Sequence, residues 1–353
     1  MIPRHARDSG AQWMPEAASE VIQARILRFF PKLINDLGGN PAAILSAHGL
    51  DEETCEQEAV VTCRQWVRVL EHAAAVLGVA DIGMRLAERQ GGTGVFGALG
   101  QVMQNCHTLG ESLSYAATHN SAHCLAARVW MGRTASGRSI FMGHELLAEE
   151  LSTRQQAVEH ILLAGHLAVG DLTGGRTKAR RVHFRHQATS SIPVYHRHFR
   201  CDVRFCCNED GIAFTAADLA APILERDEGS FDQLLETVEQ TYGTRQATFA
   251  AQVRGVVMPM LWTGMCCVED VARVLKVHPR ALHRRLQAEG CLFQSIKDEV
   301  RSDILLYYLK RTELPLGKIS EKLGFSEQSA MTRFARARLH SSPRELRRGF
   351  QLR

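Results

Sequence analysis

One arrangement of apolar residues occurs twice in the last hundred residues of the chain, at 268–286 and again at 316–335. In the first copy Val271 and Leu275 lie four residues apart, as do Leu282 and Leu286, so each pair shares one face of a helix. Val277 falls between the two pairs. The corresponding residues of the second copy are Ile319, Leu323, Phe325, Met331 and Ala335, offset by 48 residues through the turn and by 49 after it. A repeat of this length predicts that one supersecondary unit is used twice.

Residues that begin and end helices occur in both copies. Pro279, directly after His278, can occupy the first position of a helix, where its missing N–H costs no hydrogen bond. Ser326 precedes Glu327 and is expected to cap the second helix of the second copy. Gly324 lies where the first helix of that copy must end and the chain must turn back. We therefore predict helix-turn-helix units at 268–289 and 316–340.

The second helix of each unit has a polar outward face once its apolar residues turn inward. Arginine can bond in a forked geometry to guanine, and glutamine to adenine, in the major groove of DNA. A single exposed arginine is usually only a solvated helix face. Two matched cores with two matched polar faces favour double-stranded DNA as the partner. The predicted DNA-binding residues are Arg280, His283 and Arg284 in the first unit, and Gln328, Ser329, Thr332 and Arg333 in the second.

Two stretches of this region carry a family resemblance. Residues 324–347 read GFSEQSAMTRFARARLHSSPRELR, which resembles the second-unit signature of AraC/XylS transcription regulators. Residues 281–301 read ALHRRLQAEGCLFQSIKDEVR and are similar to the stretch between the two units of that family, with Arg301 at its usual arginine. The resemblance implies an all-helical DNA-binding domain in which one long helix, at about 293–309, joins the two units.

The sequence departs from the family pattern at three positions. His340 stands where glycine is usual, Ala335 where phenylalanine is usual, and Leu305 where alanine is common. Phe334 lies beside Ala335 and can repack into the space that the smaller side chain leaves. These changes concern the packing of the second unit and leave the assignment unchanged.

Charge separates this region from the rest of the chain. Residues 254–353 contain 19 Lys and Arg against 10 Asp and Glu, whereas the remainder contains 23 against 28. A basic C-terminal part on a mildly acidic body is typical of a DNA-binding protein with a separate regulatory part. We predict a disordered tail at 1–15, an effector-binding and dimerisation domain at 16–242 and a DNA-binding domain at 243–353.

The regulatory part begins with helical segments and then changes to a period of two residues. Residues 123–131 and 138–146 read as two strands of a hairpin, 179–186 as a third strand, and 202–214 as a second hairpin. A long apolar helix is predicted at 153–170. We therefore predict an α+β domain with a small antiparallel sheet of four or five strands, followed by an all-α C-terminal domain.

Residues 108–119 and 195–219 resemble the arabinose-binding-type N-terminal domain of a subgroup of the same family, which includes ornithine-utilisation regulators. The resemblance implies a domain that binds a small-molecule effector and can also dimerise, without implying that the effector is arabinose. The sequence does not identify the effector or the residues that bind it. The expected partners are promoter DNA, an effector, RNA polymerase and a second copy of the chain, and the expected role is that of an activator.

Two segments invite other interpretations. The glycine-rich stretch at 91–100 could be a nucleotide-binding loop, but it follows a charged helical segment and lacks a G-K-[ST] ending, so close helix packing is favoured. The segment 183–207 contains His183, His186, His196 and His198 with Cys201, Cys206 and Cys207. It supports an alternative hypothesis of a redox- or metal-sensing regulator. We predict no metal site, no cofactor and no catalytic residue, because no local signature fixes these side chains together.

The remaining composition bears on the compartment. No apolar run reaches the length of a membrane span, and the first residues lack the apolar core of a secretory signal. The ten cysteines are scattered, and two pairs of them are adjacent in the chain. Reduced thiols in a cytoplasm fit this pattern better than a disulfide framework, so a cytoplasmic location is expected.

Overall fold

A computed structural model describes residues 21–57, 59–120, 123–124, 126–134, 137, 139–147, 151, 153–224, 248–261 and 266–351. The chain divides into two compact units, whose described residues run from 21 to 224 and from 248 to 351. We call them the N-terminal and C-terminal domains. The predicted tail at 1–15 and the predicted boundary at 243 lie outside the described residues and stay predictions.

The N-terminal domain contains seven described strands in two sheets. They are β1 (Val21–Gln23), β2 (Val60–Thr62), β3 (Ala127–Arg133), β4 (Ile140–Leu146), β5 (Arg181–His183), β6 (Asp202–Arg204) and β7 (Gly211–Phe214). Strands β1 and β2 form a small antiparallel pair, and the other five form one sheet in the order β3-β4-β7-β5-β6. The predicted first hairpin is confirmed, because β3 and β4 pair antiparallel from Ala127 opposite Leu146 to Arg133 opposite Ile140.

The predicted second hairpin at 202–214 is wrong. Strand β6 pairs parallel with β5, and β7 pairs antiparallel with both β4 and β5. The backbone between β6 and β7 bonds to the segment that follows β5 and does not form a hairpin turn. The N–H groups of Cys206 and Cys207 donate to the carbonyls of His186 and Phe184. All four residues of β7 are buried, so this strand takes a central position with a partner on each side.

The described residues of the N-terminal domain form ten α-helices. They are α1 (Phe30–Asp36), α2 (Pro41–Ser46), α3 (Glu52–Glu56), α4 (Cys63–Leu77), α5 (Ile82–Gln90), α6 (Ala98–Asn105), α7 (Leu109–His119), α8 (Gln155–Leu172), α9 (Ile192–Phe199) and α10 (Ala216–Leu219). The predicted long apolar helix is α8, which packs against α4, α5, α9 and β7. Thirteen of its eighteen residues are buried, which is the pattern of a helix at the centre of a core.

The glycine-rich stretch at 91–100 packs closely against α8, in agreement with the close helix packing that its sequence predicts. A Cβ atom at Gly92 would lie 2.3 Å from the backbone nitrogen of Ala168. The Asp171 carboxylate accepts hydrogen bonds from the backbone N–H groups of Gly92 and Thr93, at 3.0 and 3.2 Å. These contacts fix the loop against the helix.

All described secondary structure of the C-terminal domain is helical. The helices are α11 (Phe249–Met260), α12 (Val268–Val274), α13 (Pro279–Ala288), α14 (Phe293–Arg311), α15 (Leu316–Lys322), α16 (Gln328–Leu339) and α17 (Pro343–Gln351). Helix α14 is the long connecting helix and extends two residues beyond the predicted end. None of the helices in the described ranges of either domain has the length and apolar character needed to cross a membrane.

Candidate nucleic-acid interface

The first helix-turn-helix unit consists of α12 and α13 and has the predicted core. Val271, Leu282 and Leu286 have almost no exposed surface, and Leu275 and Val277 are half-buried. Pro279 occupies the first turn of α13, and the Nδ1 atom of His278 accepts a hydrogen bond from the backbone N–H of Arg280 at 3.2 Å.

The second unit consists of α15 and α16 and repeats this interior. Ile319, Leu323, Met331 and Ala335 are each fully buried. Phe325 is half-buried, and its ring lies 5.4 Å from the ring of Phe334, measured between centroids. The residue beside the small Ala335 therefore adds an aromatic contact to the turn of this unit.

The outward faces of α13 and α16 carry the predicted DNA-binding side chains. Arg280, His283 and Arg284 are exposed together on α13. On α16, Gln328, Ser329 and Arg333 are exposed and Thr332 is half-buried, with its hydroxyl donating to the Gln328 carbonyl at 3.0 Å. The structure thus brings these residues together as one group on each second helix, and both groups are available to a partner.

The prediction that Ser326 caps the second helix of the second unit is wrong. Glu327 occupies the N-cap position with extended backbone angles, and no side chain in the described part of the chain caps the first turn of α16. The Glu327 carboxylate instead accepts hydrogen bonds from the Ser329 hydroxyl and from the Arg333 guanidinium, the latter at 3.4 Å. These two bonds lower the pKa of the Glu327 carboxyl, so it is ionised at neutral pH.

Arg301 on α14 fixes the turn of the second unit from inside the domain. Its Nε atom donates to the Leu323 carbonyl at 3.2 Å, and its guanidinium lies 4.5 Å from the centre of the Phe325 ring. Burial lowers the pKa of this guanidinium from its ordinary value. Gly324 in the same turn has φ +69°, and a Cβ atom there would lie 2.0 Å from the Leu261 carbonyl oxygen. Arg301 therefore has a structural role in the turn.

The first unit is held by contacts that no local sequence pattern predicts. The Glu289 carboxylate accepts hydrogen bonds from the backbone N–H groups of Phe249 and Ala250, at 2.7 and 2.8 Å. Arg285 on α13 stacks over the Phe249 ring at 3.8 Å. Because this carboxylate accepts hydrogen bonds from the first turn of a helix 40 residues away in sequence, no short sequence pattern indicates the contact. Arg285 is therefore engaged within the domain, unlike its neighbour Arg284.

The histidines and cysteines of segment 183–207 do not converge on one point. His186 donates to Glu159 at 3.0 Å, His198 lies 2.8 Å from Glu88, and His183 packs against the ring of Phe141. Burial raises the pKa of the Cys201 thiol to about 11, which is the opposite of what a reactive thiolate requires. Within the described ranges, no group of three or more His, Cys, Asp or Glu side chains could hold a metal ion.

Comparison with known proteins agrees with this architecture. Residues 38–223, more than half of the chain, match the family described as the arabinose-binding N-terminal domain of AraC transcription regulators. Residues 271–349 match a helix-turn-helix domain family. This chain belongs to the AraC family of transcription regulators. An AraC-family regulator with these two domains binds DNA to control transcription and is not an enzyme.

Its relatives include regulators of two bacterial genera. The HTH-type transcriptional regulator VirS of Mycobacterium tuberculosis is 29% identical over 328 residues, which are 93% of this chain and 96% of VirS. The ornithine utilization regulator of Pseudomonas aeruginosa is 39% identical over 66 residues, 19% of this chain and 20% of that protein. The crystal structure of the transcriptional regulator CdpR from Pseudomonas aeruginosa is 19% identical, with a TM-score of 0.40, and covers 91% of this chain and 98% of CdpR.

Proposed function

We propose that this AraC-family regulator reads two successive segments of the major groove with α13 and α16. Arg280, His283 and Arg284 would contact the first segment. Gln328, Ser329, Thr332 and Arg333 would contact the second, about one helical turn or 34 Å further along the duplex. The observation that carries this proposal is the repeated arrangement of a buried apolar pair and an exposed polar face on each second helix.

The order of the two units on one chain has a consequence for the site. Both units run in the same direction along the polypeptide, so they would recognise an asymmetric element rather than a palindrome. A homodimer would then bind two such elements, often as direct repeats. An oriented element can place RNA polymerase in one direction, which is why we infer activation. A transcription assay with purified components, with the element in either orientation, distinguishes this from repression.

The N-terminal domain would make this activity conditional. Its match to the arabinose-binding-type family supports a role in binding a small-molecule effector inside the cytoplasm, where the promoter is. Binding would change the population of the DNA-competent state only if the effector has different affinities for the two states.

A pair of arginine substitutions on α16 tests the base-reading role. Arg333→Ala should weaken binding to a specific site, selected from random duplexes, by about 1–3 kcal/mol while sparing random DNA, because a base contact is lost. Arg338→Ala is the matched control, since it removes the same charge from the same helix but its guanidinium bonds to Asp298 at 2.8 Å. Fluorescence anisotropy of labelled duplexes measures both. Equal losses on specific and random DNA would show that Arg333 contacts only phosphate.

A further inference from the structure

The N-terminal domain contains a cavity between α6, α7, α8 and the large sheet. Of the sixteen described residues that line it, fourteen are apolar or glycine, among them Leu113 on α7, Ile161 on α8 and Phe214 on β7. A concave, mostly apolar space with a few polar groups is the usual form of a small-molecule site. The cavity is therefore a candidate for the place where an effector binds.

Asn120 and His144 provide the polar groups among these lining residues. The Asn120 amide donates to the carbonyls of Ala127 and Cys124, at 2.8 and 3.3 Å, which uses both of its donors and leaves its oxygen as an acceptor. His144 has a buried Nδ1 atom with no hydrogen-bond partner among the described residues. Burial lowers the pKa of His144 to about 4, so its ring is neutral at pH 7 and offers one donor and one acceptor.

These groups restrict the chemistry of a ligand. A sugar carries a hydroxyl on almost every carbon, and each buried hydroxyl without a partner costs about 1–3 kcal/mol. Two polar side chains cannot satisfy so many groups. No Lys, Arg, Asp or Glu stands among the described lining residues, so a carboxylate or ammonium ligand would be buried without an opposite charge.

We propose that this cavity binds a neutral, largely apolar molecule with a single hydrogen-bonding group, which His144 and Asn120 recognise, and that it does not bind a sugar. The inference rests on the proposed effector control of DNA binding, because it names the class of molecule that exerts that control. It sets the ligand class apart from the arabinose in the name of the matching domain family.

The probe N-phenyl-1-naphthylamine tests this proposal, because it is neutral, consists of aromatic rings and carries one N–H group. Its fluorescence rises in apolar surroundings. Titration into the full-length protein should give a saturable increase with one molecule bound per chain. 1-Decanol should displace the probe, whereas L-arabinose should not, and decanoate should compete less well than 1-decanol because its charge would be buried.

A cavity-filling substitution shows where the probe binds. A Cβ atom at Gly165 on α8 would lie 3.7 Å from the Ile212 side chain, an ordinary contact, so Gly165→Leu should fill the cavity without moving the backbone. Gly170→Leu is the matched control on the same helix, since no atom of the described residues lies within 4 Å of its added Cβ atom and Gly170 is not among the described residues that line the cavity. Gly165→Leu should lower the affinity for the probe at least about tenfold, whereas the Gly170→Leu variant should bind the probe with the affinity of the unaltered chain.

The outcomes separate this inference from the proposed function. Displacement by L-arabinose, equal probe binding by both leucine variants, or no probe binding by a chain that still binds DNA would overturn the ligand class and leave DNA recognition standing. If Gly165→Leu fails to fold, as judged by circular dichroism, the competition between 1-decanol and L-arabinose decides alone. Probe binding in the cavity, with DNA binding unaffected by 1-decanol, would support the site and contradict effector control.

Discussion

In the first helix-turn-helix unit, the guanidinium groups of Arg280 and Arg284 form no ion pair with any described residue, whereas in the second unit Arg333 bonds to Glu327 at 3.4 Å. The interiors of the two units are matched position by position, yet their outward faces differ in charge and in whether their arginines are ion-paired. A repeated core therefore does not produce a repeated surface. The first unit presents unpaired cations, and the second presents a cation that a neighbouring carboxylate already orients.

The two turns differ as well. The first unit is tied to α11 through Glu289 and Arg285, and the second is tied to α14 through Arg301. At the second turn Gly324 adopts a positive φ and approaches the Leu261 carbonyl so closely that no side chain fits. The second unit should therefore be the one that is sensitive to a single added methyl group in its turn.

Gly324→Ala gives the largest expected effect. The new Cβ atom combines an unfavourable backbone conformation with a backbone clash, and should lower the free energy of unfolding of the C-terminal domain by more than about 2 kcal/mol. Gly317→Ala in α15 is the matched control, because its Cβ atom would lie 3.7 Å from the Gln328 side chain, an ordinary contact. That change should be neutral or stabilise the helix by about 0.5–1 kcal/mol. Urea unfolding of the two variants measures the difference, and equal midpoints would contradict the strained turn.

Glu327→Gln gives a smaller effect and addresses the difference between the two faces. Removing a carboxylate that lies beside the proposed DNA-contacting arginine should raise affinity for random DNA by about two- to fivefold, since phosphate repulsion is lost. Discrimination in favour of the selected site should fall, because the partner that orients Arg333 loses its negative charge. Anisotropy titrations at fixed salt measure both quantities.

Glu321→Gln is the control for that experiment. Glu321 is exposed on α15 and bonds to Lys318 at 2.8 Å, so its loss changes the charge of the second unit without changing the α16 face. If the two glutamine variants bind random DNA and the selected site alike, Glu327 has no specific role and the two faces are equivalent in function.

The parts of the fold that were predicted depend on local spacing. The four-residue separation of Leu282 from Leu286 is enough to indicate one helix face, and the alternation in 123–146 is enough to indicate a hairpin. The position of β6 was not predictable in this way, because Val203 pairs with Val182 across 21 residues and α9 lies between them. Parallel strands are joined by a crossover connection, so no tight-turn sequence between them indicates that they pair.

The site shows the same limit. The outward position of Arg333 follows from the inward position of Met331 and Ala335, so the sequence identifies it. The contacts of Glu327 do not follow from the sequence. Ser326 and Glu327 are both adjacent candidates for the N-cap position of α16, and the observed position of Glu327 comes with side-chain contacts to Ser329 and Arg333. The cavity around His144 was equally hidden, since its walls come from helices and strands between residues 96 and 214.

Selection of binding sites from a random duplex library tests the central claim most directly, when it is carried out in parallel with the full-length chain and with the double variant Arg280→Ala, Arg284→Ala. The full-length chain should select two different conserved segments with centres about 10 base pairs apart. The double variant should keep the segment read by α16 and lose the preference in the other. A single conserved segment from the full-length chain, a palindrome in place of two distinct segments, or equal loss of both segments in the variant would contradict recognition by two tandem units.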